Sequence, residues 1–130
     1  MQLIISNFKF LIRYNNRLKE NIVEEKSFAF AIRIVHLYKY LSEQKREYVL
    51  SKQLLRAGTS IGANICEAQK AQSRADFLAK MYVSYKEANE TDYWLRLLYK
   101  TDYLTEKEYS DIDRDIKELL SILTAITKKM

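Results

Sequence analysis

Proline is absent from this 130-residue chain, glycine occurs twice, and histidine, cysteine and tryptophan occur once each. A chain so short of turn-forming residues has little with which to punctuate strands, so long helices joined by short polar links are expected. The single Cys66 excludes an intramolecular disulfide and suits a reducing compartment. With one His36 and one Cys66, neither the usual zinc ligand set nor the paired Glu-x-x-His motifs of a di-iron bundle can be assembled, and no metal or cofactor is expected. No stretch reaches the roughly 18–20 apolar residues of a membrane helix. The apolar run from Leu3 to Ile12 has no basic stretch before it and no small-residue cleavage site after it. A signal peptide is therefore not expected, and the location expected is cytoplasmic.

What the sequence does have is charge and helical periodicity. The net charge is +5, and Lys9, Arg13, Arg17 and Lys19 contribute +4 of it before the first acid, leaving +1 for residues 20–130. The length fits one domain with its own core. Four amphipathic segments can be read, with Ser27 expected as the N-cap of the first, about Phe28 to Gln44. Its apolar residues cover more than one stripe, which implies burial on two sides. The second runs from about Glu47 to Gln69, with Leu50, Leu54, Ala57, Ile61, Ile65 and Ala68 at steps of three and four. Ser73 and Asp76 open a third over Arg74 to Thr101. Thr105 and Glu108 form a capping box for a fourth that ends near Lys128 and Lys129, with acids early and bases late, as the helix dipole favours. Short links make successive helices antiparallel, so the fold class expected is all-α, a single up-down-up-down four-helix bundle.

Chemistry-bearing residues are few. Gly58 begins no phosphate loop, because the required Gly-Lys-Ser/Thr does not follow. A Cys66–His36 nucleophile pair is not excluded by spacing, but a small core cysteine and a surface histidine are the simpler reading. Within the second segment, Arg56, Ser60, Asn64 and Glu67 recur at four, four and three residues as a polar stripe. Gly58 and Gly62 fall four apart beside it. Each glycine costs about 1 kcal/mol against alanine inside a helix, so a close approach of another backbone is expected there. A polar row beside a small row implies a hydrogen-bonded seam, within one subunit or between two.

The run from Arg56 to Glu67 resembles the signature of the bacterial four-helix-bundle family first associated with intervening sequences in 23S rRNA genes. Lys26-Ser27-Phe28-Ala29-Phe30-Ala31 and the stretch from Lys86 to Leu95 agree with it. The resemblance covers about Asn21 to the C-terminus. It implies a bundle assembled as a ring-like homopentamer, with no enzymatic activity and no catalytic residue to carry over. It also implies similarity in fold to the accessory variability determinant of diversity-generating retroelements, a basic bundle that binds a reverse transcriptase and nucleic acid. Residues 1–20 then stand as an N-terminal extension to a bundle domain of residues 21–130. The extension is disordered, or is absent from the native protein because translation starts at Leu18, or is a basic arm.

The expected function is that of a non-catalytic, oligomeric helical bundle binding structured RNA or a nucleoprotein partner, with a protein–protein scaffold free of nucleic acid as the alternative. Residues 1–56 hold eleven Lys/Arg against five Asp/Glu, and residues 57–130 eleven against twelve. Repeated around a ring, that bias becomes a strong field. Candidate phosphate contacts are Arg33, Lys39, Lys45, Arg46 and Lys52. Tyr38, Tyr82, Tyr85, Tyr93 and Tyr99 could stack on bases, but half-buried positions at a core edge or subunit interface suit tyrosine better.

Overall fold

A computed structural model describes the backbone of residues 2–128 and the side chains of residues 17–128. Four helices account for nearly all of it: α1 (Gln2–Glu43), α2 (Leu50–Ala68), α3 (Arg74–Lys100) and α4 (Glu106–Thr127). Each packs on its neighbours in sequence, and α4 closes the bundle against α1. Contacts between helices fix the directions. Arg33 meets Asp111 and Asp115 while Lys26 meets Glu118, so α1 and α4 run antiparallel. Asp92 with Lys117 and Tyr99 with Tyr109 do the same for α3 and α4. The fold is the up-down-up-down bundle, with Phe30, Ile34, Leu41, Leu54, Ile61, Met81, Leu95, Ile116 and Leu123 among its fully enclosed side chains.

Helix boundaries follow their caps. Ser73 Oγ accepts the Asp76 amide at 3.0 Å, and Thr105 and Glu108 form the reciprocal box. Two expectations are corrected. Ser27 does not start a helix: it is buried inside α1, and its hydroxyl donates to the Glu24 carbonyl. Nothing from Glu20 to Lys26 interrupts a helix, and a local back-bond satisfies the serine without a cap. α2 starts at Leu50 rather than Glu47, because the Glu47 carboxylate accepts the amides of Val49, Leu50 and Ser51 at 3.2, 2.9 and 2.7 Å. That carboxylate, only 7% exposed, serves as the cap of α2.

Scarce glycine leaves the left-handed turn positions to other residues. Arg46 (φ 54°) and Asp102 (φ 69°) hold them. After α3, the Tyr103 amide donates to the Leu98 carbonyl and the Asp102 amide to Tyr99, the Schellman pattern with aspartate where glycine is usual. The boundary expected at residues 20 and 21 falls inside α1; the side chains of residues 1–16, and Lys129 beyond α4, lie outside the described residues.

Candidate nucleic-acid interface

Lys39 lies near the end of α1, Lys45 and Arg46 lie in the α1–α2 connection, and Lys52 lies in the first turn of α2. All four are exposed, and among the described residues none makes an ion pair. Antiparallel topology brings the α3–α4 connection to the same end, adding exposed Lys100 and Lys107. These cations outnumber the exposed carboxylates Glu43, Asp102 and Glu106. The remaining acids there are engaged. Glu47 caps α2, and Glu108 is held below its ordinary range by the Thr105 amide against the opposing effect of burial, with the Thr105 and Tyr40 hydroxyls and the Lys45 charge adding to the shift. Tyr48 (52% exposed) and Val49 (71%) project beside the cations.

Arg33 stands apart from this group. It bonds Asp111 at 2.7 Å and also Asp115, both on α4, and forms part of the rim of a groove floored by Phe30 and Leu119. Sequence reading could not pair it, since its partners lie 78 and 82 residues away. Lys100 and Lys107 escape sequence reading for a similar reason: only the folded topology sets them beside Lys45.

Within one chain, the described bonds of the α2 polar stripe run separately. Ser60 Oγ donates to the Arg56 carbonyl at 2.6 Å and Asn64 Nδ2 to the Ser60 carbonyl at 2.8 Å, both within α2. Arg56 reaches across to Glu90 at 2.5 Å and Glu87 at 3.3 Å on α3, and Glu67 is exposed. The Arg56 hydrogen bond, with help from the Trp94 indole, holds the Glu90 carboxyl below its ordinary range although burial opposes this. A bond that does cross deep in the bundle comes from Ser84, fully buried, whose hydroxyl donates to the Ile61 carbonyl at 2.8 Å.

The glycines face α1. A Cβ on Gly58 would lie 2.8 Å from Ile34 Cγ1, and one on Gly62 would lie 3.3 Å from the Ser27 carbonyl oxygen. Cys66 is exposed, which overturns its reading as a core residue. The inward phase of α2 runs through Ile61, Ile65 and Ala68, and position 66 is off it. His36 is exposed on α1. Since Ser27 meets Gly62, Cys66 is level with about residue 23 or 24, and the 1.5 Å rise separates it from His36 by roughly 18 Å along the axis. Of the tyrosines, Tyr38, Tyr85 and Tyr99 are half-buried, Tyr99 stacking on Tyr109 at 4.4 Å, while Tyr82 and Tyr93 are exposed on α3. Among the described residues no helix is long and apolar enough to cross a membrane.

The family model described as 23S rRNA-intervening sequence protein matches residues 19–125. A crystal structure described as a protein with unknown function from the S23 ribosomal protein family of Bacteroides thetaiotaomicron VPI-5482 is similar, at 55% identity and a TM-score of 0.83. The match covers 85% of this chain and 98% of that one. No curated protein matches this chain.

Proposed function

The chain belongs to the 23S rRNA-intervening sequence protein family, and from that premise we propose that it is a non-catalytic, self-assembling bundle that binds structured RNA. The binding surface is the bundle end carrying Lys39, Lys45, Arg46 and Lys52. One observation carries this reading: none of these four cations makes an ion pair among the described residues, whereas Lys26, Arg33, Arg56 and Arg74 are tied to acids on neighbouring helices. Uncompensated exposed charge costs stability through self-repulsion and is suited to a polyanion. The separation of His36 from Cys66 supports the absence of nucleophilic catalysis. Exposed Tyr82, Val83 and Tyr93 on α3 support contact between copies, the homopentamer expected from the family resemblance, and a ring would repeat the basic end around its axis.

The test is anisotropy titration of a labelled structured RNA with the full chain and with a Lys45→Ala/Arg46→Ala/Lys52→Ala variant. Each phosphate-neutralising cation that is removed should reduce the slope of log affinity against log salt by about 0.9 for a duplex, so the variant's slope should fall by roughly 2–3. An unchanged slope would remove this end as the binding surface. Salt-insensitive capture of a protein instead, with no RNA bound, would favour a scaffold.

A further inference from the structure

Helix α1 carries a second apolar surface that its own bundle does not cover. Leu18, Ile22, Phe28 and Ile32 are 40%, 43%, 69% and 46% exposed. Positions 18, 22, 25, 29, 32 and 36 alternate by four and three residues, and all six are exposed, so they share one outward stripe. The stripe reads Leu18, Ile22, Glu25, Ala29, Ile32 and His36. The same register continued upstream in the sequence falls on Asn15, Leu11, Phe8 and Ile4. By contrast, the outward positions of α4, Ser110, Arg114, Lys117, Ser121 and Thr124, are polar throughout.

Length adds a second observation. α1 has 42 residues against 19 in α2 and 27 in α3, or about 63 Å against about 28 and 40 Å. Ser27 lies against Gly62, and Glu20 bonds Arg74 at the start of α3. Antiparallel packing therefore uses up α2 near residue 20, and α1 continues past the α2–α3 turn. That continuation lies beyond the reach of α2, and helices in proteins draw most of their stability from packing an amphipathic face. A heptad stripe identifies the kind of partner: another helix with a matching stripe.

We propose that this partner is α1 of a second copy, the two helices forming an antiparallel two-stranded coiled coil centred between Leu18 and Ile22. The stripe is self-complementary in that register. Leu18 falls opposite the partner's Ile22, and the sequence repeat puts the apolar positions 11 and 8 level with the partner's positions 29 and 32. The polar break in the repeat also matches, position 15 being level with the partner's position 25. A parallel pair would instead set Glu25 against its own copy and lay the two acid-free stretches of residues 1–19, each +4, side by side. Antiparallel pairing sends these stretches to opposite ends, each alongside the partner's residues 21–39, where Glu24 and Glu25 are free of ion pairs among the described residues while Lys26 and Arg33 are already tied to acids of α4. Like charges inside a seam oppose pairing, so charge selects the direction. The contact is two-fold and isologous. Among the described residues α1 reaches α3 through the Glu20–Arg74 ion pair but does not pack along it, so this seam is a different surface from Tyr82 and Tyr93 of α3. Its upstream half precedes residue 19, where the family match begins.

Full chains carrying Cys66→Ser with either Leu18→Cys or Ile22→Cys test the register by mild oxidation, separately and mixed. A disulfide-linked dimer in the mixture, and little in either chain alone, is the expected result. No dimer in the mixture, or equal self-linking of each chain, overturns the proposal. Both sites are exposed, so the bundle should fold with unchanged circular dichroism. As an independent measurement, Leu18→Glu/Ile22→Glu should halve the particle mass seen by light scattering at micromolar concentration, whatever ring is also present. An unchanged mass overturns the two-fold contact and leaves a ring intact.

Discussion

Against α2, helix α1 packs where two side chains are missing; against α4, it is tied at the rim by Lys26–Glu118 and by Arg33 with Asp111 and Asp115. The first flank is closely packed. Ile34 is fully buried and occupies the space a Cβ on Gly58 would need. On the second flank, Phe30 and Leu119 floor a groove whose polar rim stays half-exposed. Close packing is dense and responds to single methyl groups, whereas exposed ion pairs lose much of their Coulomb energy to solvent. One helix thus has a flank where added volume at Gly58 is costly and a flank that tolerates loss of charge.

The sharpest way to break this contrast is to fill the glycine positions. Gly58→Leu should cost about 3 kcal/mol, the upper part of the usual overpacking range, because Ile34 Cγ1 and Cγ2 would lie 2.8 and 2.9 Å from the new Cβ. Gly62→Ala should change stability by less than about 1 kcal/mol. Its Cβ meets Ser27 at 3.3–3.4 Å, and the helix preference of alanine offsets the crowding. Urea unfolding checks both. A loss at Gly62→Ala as large as that at Gly58→Leu would mean that the backbone contact with Ser27, not the Ile34 contact, is the tighter of the two.

The connection between the same two helices shows that a charge can matter when it is buried and fully bonded. Glu47→Ala should cost about 1–2 kcal/mol at neutral pH, as the first amides of α2 lose their acceptor. Burial alone would raise the Glu47 carboxyl, but the amides of Leu50, Ser51 and Val49 and the Ser51 hydroxyl outweigh it and hold it below its ordinary 4.5. The folded state therefore favours the carboxylate. Its contribution is complete above about pH 4.5, the unfolded value, and declines as pH falls through the lower folded value. The stability gap between wild type and Glu47→Ala should narrow in strong acid. A gap constant from pH 7 to pH 2 would show that the side chain acts by packing rather than by charge.

Sequence patterns are informative where the signal is local. The starts of α3 and α4 are legible because Ser73 and Thr105 cap amides three residues on, and the core phase of α2 and α4 follows directly from apolar spacing. Misreadings arise where one local pattern has two physical outcomes. Ser27 before an apolar run looks like a cap, yet inside a continuous helix the same hydroxyl bonds back to Glu24. Glu47 looks like a first helical residue, yet its side chain replaces the cap that Tyr48 and Val49 cannot supply. The exposure of Cys66 is legible after all, since the spacing of Ile61, Ile65 and Ala68 leaves position 66 outside the buried phase; general burial tendency misleads there. At the candidate site, the exposed lysines are legible as charge, but whether a charge is free depends on distant residues. Arg33 is consumed by carboxylates on the last helix, and no linear pattern announces that.

The smallest effect is expected on the α4 flank. Arg33→Ala removes both of its ion pairs, but the arginine side chain is 39% exposed and the two aspartates 59% and 38%. Solvent screens such a pair, and holding three side chains in place costs entropy, so the loss should be under about 1 kcal/mol. It should also shrink further in about 1 M salt, where the Debye length falls to about 3 Å. Urea unfolding of wild type and variant at low and high salt measures the difference. A salt-independent loss above about 2 kcal/mol, more than an exposed pair supplies, would mean that the aliphatic stem of Arg33 seals the groove by packing. The two flanks of α1 would then differ in chemistry at the rim but not in what holds them.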